Sequence, residues 1–137
     1  MKTIHLLFFF VLFVNNSFAQ EDGENPLPYV AQEPKYDTAP RFPGGTKMMM
    51  NYFEKNSRYP EPEKFKKIQG QVSVKFEVDK NGKIKNIKVL NGIAGAPNMA
   101  KEAVRLIQQM PLWIPASKNG KPIKAEYFLS IPFQLTH

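Results

Sequence analysis

The chain has 137 residues, with 19 lysines and arginines against 12 acidic residues and no cysteine. That length suits a single domain. The missing cysteines exclude a disulfide scaffold, a thiolate metal site and a lipidated N-terminal cysteine, so stability has to come from an apolar core.

The first residues read as an export signal. Lys2 gives a positive start, Leu6 to Val14 is an unbroken apolar run, and Ser17 and Ala19 form a small-residue exit, which predicts cleavage after Ala19. The run is less than half of the roughly 20 residues needed to cross a bilayer, so residues 1–19 are read as a signal peptide and the mature protein as periplasmic. The alternative is a short inner-membrane anchor with the rest facing the periplasm. An exported protein does not meet nucleic acid, so the net charge of +7 points to a solvated basic surface or an anionic neighbour such as cell-wall polymer.

Residues 20–41 read as a flexible tether, with Pro26, Pro28, Pro34 and Pro40 among polar residues and no apolar period. The domain is assigned to residues 42–137, beginning at the turn cluster Phe42-Pro43-Gly44-Gly45. Thr46 is the expected N-cap of a short helix to Asn56, with Met49 and Phe53 on one face. Tyr59-Pro60 forces an extended entry, Pro62 opens a second helical turn, and Phe65 and Ile68 fall three apart on one side of it.

Val72, Val74, Phe76 and Val78 alternate with Gln71, Ser73, Lys75 and Glu77, the period of a half-buried strand. Asp79-Lys80-Asn81-Gly82 predicts a tight hairpin with positive φ at Asn81 and Gly82. Ile84 and the pair Ile87, Val89 differ in parity, so a bulge near Lys85-Asn86 is required. Met99, Ala103, Leu106, Ile107 and Met110 make one helical stripe, stopped by Pro111. Trp113 is expected to close one end of the core, and Asn119-Gly120 to turn the chain into the last strand. There Ala125, Tyr127, Leu129, Ile131 and Phe133 share a face opposite Glu126, Phe128 and Ser130. Pro132 cannot donate to a ladder, which makes this strand an edge.

Chemistry is sparse. Beyond the signal, the chain's histidine is His137; no Ser-His or Cys-His pair, HExxH or phosphate-binding loop is present. The carboxylates fall on solvent-facing strand positions or among lysines, with no apolar pocket to raise a pKa. No enzymatic activity, cofactor or metal is expected. An exported edge strand suits β-strand addition, in which a partner peptide pairs through its main chain; the competing reading is that residues 20–41 or a second copy of the domain covers it.

Read together, Arg58-Tyr59-Pro60, the run Ile68 to Asp79, Asn81-Gly82-Lys83-Ile84, Glu102-Ala103-Val104-Arg105, Met110-Pro111-Leu112-Trp113 and Ile131-Pro132-Phe133 resemble the C-terminal domain of the TonB energy transducers of Gram-negative bacteria. Phe42-Pro43-Gly44-Gly45 is similar to the Bacteroidetes variant. The resemblance implies an α+β fold of ββαβ order, a three-stranded antiparallel sheet packed on a main helix with short N-terminal helices.

It also implies a partner, the TonB-box segment of an outer-membrane transport receptor, paired beside the last strand. The implied partner-binding residues are Ser57, Arg58, Tyr59 and Pro60, with Ala125, Tyr127, Phe128, Leu129, Ile131 and Phe133. Structural roles are implied for Glu102 and Arg105. Departures from the family pattern are the short apolar run and tether in place of a membrane helix and long spacer, Ala116 where a Gly is common, and Ala100 and Lys101 in place of acidic residues. The implied function is therefore a periplasmic binding module serving TonB-dependent transport. An anchored transducer, and a structural module binding peptidoglycan or forming a homodimer, are the alternatives.

Overall fold

A computed structural model describes residues 35–135. The expected signal peptide and most of the tether lie outside the described residues. The elements are α1 (Gly45–Asn56), α2 (Glu61–Phe65), β1 (Gly70–Val78), β2 (Ile84–Asn91), α3 (Pro97–Gln108), β3 (Ala116–Lys118), β4 (Lys121–Ile123) and β5 (Ala125–Phe133). The strands β2, β1 and β5 form an antiparallel sheet in that spatial order, and β3 and β4 form a separate hairpin. This is the α+β, ββαβ arrangement anticipated from the resemblance.

The core lies between one face of the sheet and α3. Val72, Val74, Phe76 and Val78 of β1 and Ile131 and Phe133 of β5 are buried with Met99, Ala103, Leu106 and Ile107 of α3. The period-2 and period-3.6 patterns therefore face each other, which gives each apolar stripe a dry partner. Trp113 closes one end as expected. Its ring meets Tyr127 at 4.8 Å, Phe76 at 5.3 Å and Phe42 at 6.0 Å, in edge-on arrangements. The buried indole N–H has no acceptor among the described residues, so packing alone holds the ring.

The local chemistry departs from expectation at several points. Helix α1 starts at Gly45 with Gly44 as N-cap at φ +83°, so Thr46 sits inside the first turn. Phe65 is 88% exposed, whereas Glu63 on the same short helix is 2% exposed. A five-residue helix has no full stripe for parity to reveal. The β1–β2 turn has positive φ at Gly82 (+85°) and not at Asn81. Gly82 N–H donates to Asp79 O at 2.9 Å, and Asp79 N–H donates to Lys83 O at 2.9 Å. This is a three-residue loop with a glycine bulge, not a two-residue turn. Asn119 and Gly120 do both take positive φ, +54° and +76°, and close the β3–β4 hairpin, which then leads into β5.

The bulge in β2 is present, with Asn86 at φ +54°, and a second register shift follows opposite Ser73 and Val74. Backbone pairing also begins before Phe42. Asp37 N–H donates to Ser117 O at 2.8 Å, and Arg41 and Ile114 exchange N–H···O bonds of 3.0 and 2.9 Å.

Helix α2 ends in a Schellman motif. Ile68 N–H donates to Glu63 O and Lys67 N–H to Lys64 O, and Lys67 holds the left-handed position at φ +58°. Glycine fills that position without steric cost. Lys67→Gly is expected to stabilise the domain by about 0.5–1 kcal/mol, read as a higher urea midpoint; an unchanged or lower midpoint would contradict this reading of the turn.

Candidate functional site

The sheet has two outer strands, and they differ. β2 is interrupted by two register shifts and carries Lys85 and Lys88, features that bend and charge an edge against further pairing. β5 pairs with β1 in one unbroken register from Gly70↔Phe133 to Val78↔Ala125. Its other side receives no backbone bond among the described residues.

Which N–H groups point there follows from the alternation of the central strand. Asp79 N–H is directed to β2, at Lys83 O. Period two along β1 then sends the N–H groups of Val78, Phe76, Val74 and Val72 toward β5, where their partners are Ala125, Tyr127, Leu129 and Ile131. The even-numbered residues of β5 therefore turn their N–H groups outward, at Glu126, Phe128 and Ser130. Pro132 falls in the same outward set, where a residue without N–H costs the sheet nothing.

The residues singled out from the sequence divide accordingly. Phe128 is 63% exposed on the solvent face of the sheet. Ile131 and Phe133 are core residues, and Tyr127, partly buried, packs on Trp113 and Phe76, so their side chains are committed inward. Ala125 and Leu129 are half-buried and face the same way. On the outer face, Ser73 and Ser130 hydroxyls lie 3.1 Å apart, and Lys75 bridges Glu126 at 3.1 Å.

The second group, Ser57 to Pro60, reaches the far end of the same strand. The Tyr59 ring stands edge-on to Phe133 at 6.1 Å, and its hydroxyl donates to Ile68 O; burial raises its pKa. Ser57 N–H donates to Phe53 O at 2.8 Å, closing α1.

Arg58 is tied down by its backbone, since its N–H donates to Glu102 Oε2 at 2.6 Å. Arg105 donates to both oxygens of Glu102 at 2.7 Å, and to Asn56 O at 2.8 Å. Glu102 is 8% exposed. Burial opposes its ionisation, but the Arg105 guanidinium and the Arg58 N–H outweigh it and hold the carboxyl below the usual range. The hydrogen bond to Glu102 pushes Arg105 further up.

Glu63, from α2, accepts from Asn98 N–H at 3.0 Å and from the Asn98 side chain at 3.3 Å. It caps α3, whose own N-cap, Ala96, has no side-chain acceptor. Glu63 has no visible role in the sequence, where it sits among lysines, and a structural role for Glu102 is implied there only by the family resemblance. Arg105 reaches Glu102 from the next turn of the same helix, but only the packing of α3 beside α2 and the Tyr-Pro entry brings Asn98 to Glu63 and the Arg58 N–H to Glu102.

The sequence profile described as the Gram-negative bacterial TonB protein C-terminal matches residues 55–135, more than half of the chain. The chain belongs to the TonB C-terminal family. The NMR solution structure of the Helicobacter pylori TonB C-terminal domain is similar to this chain, with 20% sequence identity, 69% of this chain and 88% of that one covered, and a TM-score of 0.47. No curated protein matches.

Within the TonB C-terminal domain, the matched region runs from the end of α1 through β5, so it contains the Tyr-Pro entry and the free edge together. No cluster of three or more His, Cys, Asp or Glu suited to a metal ion occurs among the described residues, and no helix among them is long and apolar enough to cross a membrane.

Proposed function

We propose that this TonB C-terminal domain is a periplasmic binding module for TonB-dependent transport. It takes an extended segment of an outer-membrane receptor as a fourth strand beside β5. The observation that carries the proposal is the unbroken nine-residue edge of β5, with Glu126, Phe128 and Ser130 offering outward N–H groups. Main-chain pairing supplies affinity in this mode, and side chains at alternate positions supply preference. Because Ile131 and Phe133 turn their side chains to the core and their backbone groups to β1, they make no direct contact with the added strand; Phe128 and the Ser57–Pro60 segment are the side-chain contacts. The work is recognition, with no covalent step.

Ser130→Pro tests this without breaking the fold, since the N–H it removes points away from β1. A short peptide from the TonB box of a receptor is titrated into the full chain and followed by amide chemical shifts. Wild type is expected to show shifts at Glu126, Phe128 and Ser130 and near Arg58. Ser130→Pro is expected to lose at least about tenfold in affinity, through a lost donor and the bulk of the ring. Leu129→Pro, by contrast, removes a donor to β1 and is expected to unfold the sheet. Peptide binding that leaves the β5 amides unmoved, or that Ser130→Pro does not weaken, would overturn the proposal.

A further inference from the structure

One end of the β5 edge carries a built feature that the strand itself does not explain. A cavity of about 160 Å³ is lined by Lys35, Tyr36, Lys124, Ala125, Glu126 and Phe128. It lies where β5 begins and reaches along the edge to Phe128, so the end of a strand laid along the edge enters it. Lys35 and Tyr36 precede the assigned domain, yet the residues that follow them are fastened. Asp37 N–H donates to Ser117 O at 2.8 Å, Asn119 N–H donates to an Asp37 carboxylate oxygen at 2.7 Å, and the Thr38 and Ser117 hydroxyls lie 2.6 Å apart. The β3–β4 hairpin thus holds this stretch against the start of β5.

The charges there are not balanced. Glu126 is engaged by Lys75 on the neighbouring strand at 3.1 Å. Neither Lys35 nor Lys124 has a carboxylate partner among the described residues. Two lysines without a carboxylate partner among the described residues therefore line a cavity whose remaining walls are Tyr36, Ala125, the exposed Phe128 and Glu126, the last already paired with Lys75. Ammonium groups held on either side of a concave, partly apolar site select an anionic side chain.

Resting on the strand-addition reading, we propose that this cavity is a specificity subsite for a carboxylate at one end of the partner segment. The segment would place an Asp or Glu between Lys35 and Lys124 and an apolar residue over Phe128. The subsite fixes the register of the added strand, which the uniform backbone edge alone leaves free to slip by two residues.

The probes are three capped peptides from the TonB box of a receptor, alike except for their end residues. One has Asn at both ends, one has Asp at the N-terminal end, and one has Asp at the C-terminal end. Each is titrated into the full wild-type chain, into Lys35→Ala/Lys124→Ala and into Ser130→Pro. One of the two Asp peptides is expected to bind about three- to tenfold tighter than the Asn peptide. Which one does so reports the direction of the strand. That advantage is expected to vanish in the double-lysine variant and to shrink with added salt, while the Asn peptide keeps its affinity. Ser130→Pro is expected to weaken all three equally. Equal binding of all three peptides to wild type, or an advantage that survives loss of both lysines, overturns the subsite and leaves strand addition standing. Failure of every peptide to bind wild type removes both.

Discussion

Gly82→Ala is expected to cost about 3 kcal/mol or more, a large share of the 5–15 kcal/mol that holds a domain folded. Two causes act together at this position. The backbone lies at φ +85°, and a Cβ built there overlaps the carbonyl oxygen of Trp113. The approach is close because Trp113 N–H donates to Gly82 O at 2.8 Å, stitching the β1–β2 turn to the loop after α3. Relieving the overlap means moving Trp113, whose ring is packed on Phe42, Phe76 and Tyr127.

Gly120→Ala separates the two causes. Gly120 has φ +76° and nothing within 4 Å of a Cβ, so that variant should lose only about 1 kcal/mol of backbone strain. Urea unfolding of both variants at equal slope makes the comparison. Equal losses would mean that the Trp113 contact carries no weight.

Glu102→Ala is expected to destabilise by about 2–3 kcal/mol. It strands the Arg58 N–H and the Arg105 guanidinium, whose Nε and Nη2 both donate to that carboxylate. It should also loosen the Ser57–Pro60 segment, so amide exchange at Arg58 and Tyr59 should speed up more than in the β1 core. Glu102→Gln, which keeps an acceptor, should cost less.

The pH dependence has a definite sign. The folded carboxyl ionises below its ordinary range, so the stabilisation is complete above the unfolded-state pKa of about 4.3 and disappears as pH falls through the folded value. Asp79 acts in the same direction, because the Lys83 N–H and, against the opposing effect of desolvation, the Asn81 N–H and Lys85 lower its pKa. Wild type should therefore lose stability on acidification more steeply than Glu102→Gln, which retains only the remaining carboxylates' slope. Parallel acid profiles would remove Glu102 from this role.

The contrast between Glu102 and Val74 shows how far the sequence could be read. Val72, Val74, Phe76 and Val78 announce a half-buried strand because each burial is dictated by the residue's own side chain and a local period. The stripe on α3, the bulge at Asn86 and the edge marked by Pro132 are legible for the same reason. Each is a conflict or agreement between neighbours in the chain. The helix start at Gly44, the three-residue loop at Gly82 and the exposure of Phe65 were not, since several backbone solutions suit those short segments and packing selects among them.

The sequence by itself therefore determined the fold class, the order of the main helices and of the three strands of the sheet, the family resemblance and the identity of the last strand as an edge; the β3–β4 hairpin it did not show. Tertiary structure alone decided the second register shift in β2, which β5 amides face outward and which side chains of the expected contact set are committed to the core. It also brought Glu102 to Arg58, 44 residues away in sequence, and Lys35 to Lys124 at the head of β5. No local period encodes such pairs. They arise because α3 crosses beneath the sheet and the β3–β4 hairpin turns the chain back along its own N-terminal segment.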